Sequence, residues 1–160
     1  MKKVKGNVIM GWKLVFSFFF SALLLGYGSV EVRSDQSSSG RFSKDGQGII
    51  KDKRTGLQWY MGPESDTNWY QAQSWVQSLS VGGGGWRLPT RSELAGLSAK
   101  QSDGSYLEPI FSYKSRIPFV WSGESTDSSS AWDFDFSHGE EYWNSRKSSL
   151  GGRAFAVRSR

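Results

Sequence analysis

Cysteine is absent from all 160 residues. Disulfides, thiol nucleophiles and cysteine-ligated zinc are therefore excluded. Histidine occurs once, as His138 in a Ser-His-Gly turn. As a general base it would need an activated nucleophile and an orienting carboxylate, and no serine sits in nucleophile-elbow text. Long aliphatic runs are missing beyond the first thirty residues, so a core here has to be built on aromatics. The glycine run Gly82 to Gly85 lacks the lysine and the serine or threonine of a phosphate loop, and it reads as a turn. A basic excess is missing too, once the N-terminus is set apart. The formal charge is +5, but four of the 20 basic residues and none of the 15 acidic ones precede position 30. Sixteen basic residues then face fifteen acidic ones, which is no footprint for nucleic acid.

What is present begins with a leader. Lys2, Lys3, Lys5 and Lys13 precede an apolar run from Leu14 to Leu25, followed by the small residues Gly26, Gly28 and Ser29. Residues 1–30 thus have the pattern of an export signal, or of a retained membrane anchor counted from Val8 to Val30. No cysteine follows, so a lipoprotein anchor is excluded. Either form places the rest of a bacterial chain in the periplasm, on the cell surface or in the medium. Residues 31–40 are polar and serine-rich, as a flexible linker is. Residues 41–160 suffice for one domain with its own core.

Within that domain two short strands are expected around Ile49-Ile50 and Leu57-Trp59, joined by the loop Asp52 to Gly56. A helix capped by Asp66 or Thr67 is expected over residues 68–79, where Trp69, Ala72, Trp75, Val76 and Leu79 make one apolar stripe. Thr90 and Glu93 have capping-box spacing and start a second helix near Arg91. The last third is β. Trp132, Phe134 and Phe136 alternate with Asp133 and Asp135, and Arg153 to Arg158 alternates again. Strands, two consecutive helices, then strands imply an α+β fold with a mostly antiparallel sheet.

Several segments also follow a known order. They are Thr55-Gly56-Leu57-Gln58-Trp59, the Trp69 helix, Gly85-Trp86-Arg87-Leu88-Pro89-Thr90 with Glu93-Leu94, and Pro109-Ile110-Phe111. Val120-Trp121-Ser122, Ala131 to Phe136 with Gly139, and Ala156-Val157-Arg158 complete them. In this the chain resembles the C-terminal domain family of the Legionella collagen-like adhesin, across residues 40–160. The resemblance implies a C-type-lectin-like fold and an exported, non-catalytic module for adhesion or carbohydrate binding, with acidic or sulfated polysaccharide as ligand. Under it, Trp59, Trp86, Arg87, Pro89, Thr90, Glu93, Trp121 and Trp132 are structural. The collagen-like repeat is absent, so trimer formation does not carry over.

Three constellations are candidates for chemistry. Tyr142, Trp143, Asn144, Arg146 and Lys147 combine aromatic rings with cations, which suits stacking on a sugar and pairing with sulfate. Asp133, Asp135, Glu140 and Glu141 offer four carboxylates for calcium, although their alternation equally describes a solvated sheet face. Asp133 and Asp135 alone could form the pair of an envelope hydrolase. The main reading needs no cofactor and is not an enzyme. Its partner is a polysaccharide or another surface macromolecule, not nucleic acid, and a membrane enters only through the N-terminal segment. The alternative is a cell-envelope structural domain that engages a protein.

Overall fold

The computed structural model describes residues 40–114 and 119–159. The expected leader and most of the linker lie outside these residues. Strand β1 (Phe42–Lys44), β2 (Ile50–Asp52) and β3 (Gln58–Met61) lead into helix α1 (Trp69–Ser78). A 3-10 turn at Val81–Gly83, helix α2 (Arg91–Ala95) and a second 3-10 turn at Pro109–Phe111 follow. The chain ends in β4 (Phe119–Ser125), β5 (Ser130–Asp135), β6 (Glu140–Ser145), β7 (Gly152–Arg153) and β8 (Phe155–Arg158). The class is α+β, as expected. The strands form two four-stranded sheets, ordered β1-β2-β3-β8 and β6-β5-β4-β7. Every pairing is antiparallel except β4 with β7.

The N-cap of helix α1 lies one residue after Thr67 and two after Asp66, the caps expected for it. Asn68 is the N-cap: its side chain accepts from Gln71 N at 3.0 Å while Gln71 Oε1 accepts from Asn68 N. Thr67 is unable to serve, because its N–H donates to Gly152 O at 2.9 Å and its carbonyl accepts from Trp121 Nε1 at 2.7 Å. The backbone of Thr67 is pledged to β7 and β4. Helix α2 keeps the expected box, with Thr90 accepting from Glu93 N at 3.2 Å and Glu93 from Thr90 N at 2.8 Å.

Two apolar clusters hold these elements. One joins Ile50, Trp59, Phe155 and Val157 of the first sheet to Val120 and Phe134 of the second, with Leu94 from α2 and Leu97 from the turn after it. Phe111 stands among Phe42, Trp59 and Phe155, with ring centroids 5.3–6.0 Å away. The other cluster lies under α1, where Trp69, Ala72 and Val76 meet Trp86, Leu88, Trp121 and Ala156. Aromatics do carry the core. Three of the indole N–H groups are satisfied by backbone carbonyls, Trp69 Nε1 on Ser122, Trp86 Nε1 on Val81 and Trp121 Nε1 on Thr67, whereas the buried Trp59 Nε1 has no partner among the described residues.

Candidate functional site

The aromatic–basic segment falls on β6, an outer strand of the second sheet. Side chains alternate across a strand, so the segment divides between two faces. Trp143 lies opposite Trp132 on one face, and Tyr142 lies opposite Asp133 on the other. Trp143 is 63 % exposed and Tyr142 42 %. On the tryptophan face the Arg91 guanidinium stacks 3.8 Å over the Trp132 ring and pairs with Glu141. This face thus presents the Arg91 guanidinium, the half-buried Trp132 and, opposite it in register, the open Trp143.

Asn144 is committed inward, its Nδ2 donating to Asp133 Oδ2 at 2.7 Å. Arg146 is committed too: its Nε donates to Ser130 O at 3.3 Å and its guanidinium lies 4.4 Å over Trp69. Lys147 is exposed. Their aromatic and cationic chemistry groups five residues in the sequence; the sheet leaves Trp143, Tyr142 and Lys147 outward and holds Asn144 and Arg146 in structural contacts.

The four carboxylates are not gathered either. Glu141 lies across the sheet with Arg91, whereas Asp133, Asp135 and Glu140 share the Tyr142 face. Asp135 accepts from Ser137 N at 2.7 Å and from Ser137 Oγ, and pairs with His138 Nδ1 at 2.9 Å. Burial pushes its pKa up, but the bonds from Ser137 and His138 outweigh that and hold it below the ordinary value. Glu140 accepts from Tyr142 OH at 2.7 Å. Among the described residues no three Asp, Glu or His side chains are placed to hold a metal ion together.

Asp133 corrects the expectation of a solvated face. It is 1 % exposed, opposite Trp121 on β4, and its Oδ1 has no partner. Burial pushes its pKa up to about 6, against the bond from Asn144 and with the charge of Asp135. Its carboxyl is closed to a substrate, so the Asp133–Asp135 pair does not line a cleft. His138 is a turn residue bound to Asp135.

Of the residues expected to be structural, Arg87, Thr90 and Glu93 form a joint at the start of α2, whereas Trp59 lies in the first apolar cluster, Trp86 and Trp121 in the second, and Trp132 under the Arg91 guanidinium. Arg87 forks onto Glu93 with Nη1–Oε2 2.7 Å and Nη2–Oε1 2.6 Å, so one carboxylate serves both the α2 cap and the guanidinium. Beside the joint is a groove of about 450 Å³. Val76, Trp86, Leu88 and Pro89 line it, with Gln73, Gln77, Arg87, Thr90 and Glu124 as its polar side chains. A second groove, about 390 Å³, runs along the first sheet past Ser43, Lys51, Lys53 and Gln58. Neither groove was legible as a site, because the lining comes from segments far apart in the chain. The one local signal was Gln73 and Gln77, polar and one helical turn apart beside the apolar stripe.

One family model matches the stretch from β2 to β8 that contains the Trp86–Glu93 joint. The Lcl C-terminal domain model matches residues 48–158. The chain belongs to the Lcl C-terminal domain family. No curated protein matched the sequence. The family is one of adhesin-associated domains and is not a known enzyme class. The matched range covers the α2 joint, the second sheet with its exposed β6, and all of the first sheet except β1.

Proposed function

We propose that this Lcl-type domain is an exported recognition module with a C-type-lectin-like fold, binding acidic or sulfated polysaccharide along the β5–β6 edge. The fold assignment is supported by β8 returning to pair with β3 around two intervening helices. The observation that carries the binding reading is Trp143, a large indole 63 % exposed where burial would be favourable. An open indole face is the standard platform for a sugar ring, and Lys147 supplies a cation two residues after β6. The setting is the cell surface, the periplasm or the medium, and the reading requires no cofactor.

A sulfated-glycan array read at low and at high salt is the test. Binding is expected at low salt, weakened by salt and by Lys147→Ala, and reduced severalfold, up to about tenfold, by Trp143→Ala, since an aromatic contact is worth about 0.5–1.5 kcal/mol. Absence of binding at low salt overturns the ligand class, and full binding by Trp143→Ala overturns the site. A second reading, a protein partner in the cell envelope, is favoured by the position of β6 at the sheet edge, where another strand can add. Capture of an envelope protein that Trp143→Ala abolishes, with no glycan bound, selects it.

A further inference from the structure

The groove beside α1 is independent of β6, and its chemistry is different. Its floor is apolar, made by Val76, Trp86 and Leu88, all at most 7 % exposed. Along its rim stand Gln73 and Gln77, one turn apart on α1, and neither amide has a hydrogen-bond partner among the described residues. Across from them Glu124 offers its carboxylate, of which Oε1 accepts from Arg91 N at 2.9 Å. The one cation in the lining, Arg87, is taken by Glu93 at 2.6 Å. The groove's free charge is thus a single carboxylate, which repels sulfate and phosphate.

We infer that this groove is a subsite for an uncharged pyranose unit. Two free amides both donate and accept, and a carboxylate accepts from two vicinal hydroxyls; together they match the edge of a neutral sugar. The apolar floor matches its C–H face. The size, about 450 Å³, falls in the range of about 300–1,000 Å³ usual for small-ligand sites. The inference extends the recognition reading to a second site and stands without it, because no residue is shared with β6.

Gly123 provides a block that leaves the fold alone. A Cβ there meets Leu88 Cβ at 3.4 Å, an ordinary contact, and its φ is outside the left-handed region. Gly123→Leu therefore fills the groove from its rim without backbone strain.

The experiment is a saturation-transfer NMR titration of the full chain, held in a sugar-free detergent, with methyl glucoside, methyl N-acetylglucosaminide and the sulfate ester of each. Saturable millimolar binding of a neutral glycoside is expected, with its sulfate ester weaker. Gln73→Ala/Gln77→Ala should weaken it at least about tenfold, two hydrogen bonds being worth about 1 kcal/mol each. Gly123→Leu should abolish it, Trp143→Ala should leave it unchanged, and all variants should melt as the parent does. No binding of any neutral glycoside overturns the inference. So does tighter binding of the sulfate esters, or binding that survives both groove variants. Sulfated-polysaccharide binding that Trp143→Ala removes is read separately, so the two sites can fail independently.

Discussion

Asp133 holds its carboxyl inside the second sheet, with Oδ2 bound to Asn144 and Oδ1 bound to nothing. The cost is visible as pH dependence. Its folded pKa, about 6, lies above the ordinary 3.8, so the folded state holds this proton more tightly than the unfolded chain. The penalty is absent below the unfolded value and grows as pH rises through 6, reaching on the order of 2–3 kcal/mol at about 1.4 kcal/mol per unit. Urea unfolding should show stability falling between about pH 4 and pH 7. In Asp133→Asn, which keeps an acceptor for Asn144 and removes the charge, that fall should vanish. A wild-type profile flat across this window would contradict a buried, unpaired carboxyl. Alternation placed Asp133 correctly on the face opposite Phe134. It could not tell that Trp121 and the neighbouring chain would close that face, since period two distinguishes faces and not their covering.

At the scale of elements, α2 is the sharpest case. Five residues are too few to form a helix unaided, because nucleation costs more than one turn returns. The helix exists because Thr90 and Glu93 satisfy each other's backbone and Leu94 and Leu97 are buried against Val120 and Phe134. Burial alone would raise the Glu93 pKa; the bonds from Arg87 and Thr90 hold it below the ordinary value instead. Thr90→Ala should cost about 1 kcal/mol in chemical denaturation. Glu93→Ala should cost more, since it strands both Thr90 N and the Arg87 fork; an equal or smaller loss would contradict the shared role of that carboxylate. This element was legible because a capping box is local. The cap of α1 was less so: Asp66, Thr67 and Asn68 are all competent, and only the pledge of Thr67 to Gly152 and Trp121 selects Asn68.

For the molecule as a whole, the closure runs through Arg158. From the end of β8 its guanidinium donates to Gly82 O at 2.9 Å and to Gly84 O, and its Nε donates to Gln58 Oε1 at 2.9 Å. It also stacks 4.3 Å over Trp86. The glycine run is thereby more than a turn between helices: it cups the last cation of the terminal strand. Gly82 needs both its positive φ of 59° and its missing side chain, because a Cβ would lie 2.5 Å from Arg158 Nη2 and 2.8 Å from Ile49 Cδ1. Gly82→Ala is therefore expected to lower stability by roughly 1–3 kcal/mol, read as a drop in melting temperature. Gly85→Ala is the informative control, since it shares the positive φ but meets nothing within 4 Å. Equal losses at the two positions would mean that strain alone acts and that the cup around Arg158 adds nothing.

By itself, the sequence determined the class, the α2 capping box, the apolar stripe of α1, the turn at Gly82 to Gly85 and the resemblance to the adhesin domain. All of these depend on residues close together in the chain, where spacing and backbone chemistry act directly. Tertiary structure alone decided that there are two sheets, that Asp133 is buried and that Trp143 is open. It also engaged Arg146 with Trp69 and assembled the groove of Gln73, Trp86 and Glu124. Each of these depends on contacts between residues dozens of positions apart. Burial and the forming of a groove belong to the packed surfaces of several elements, and no single stretch of chain carries them.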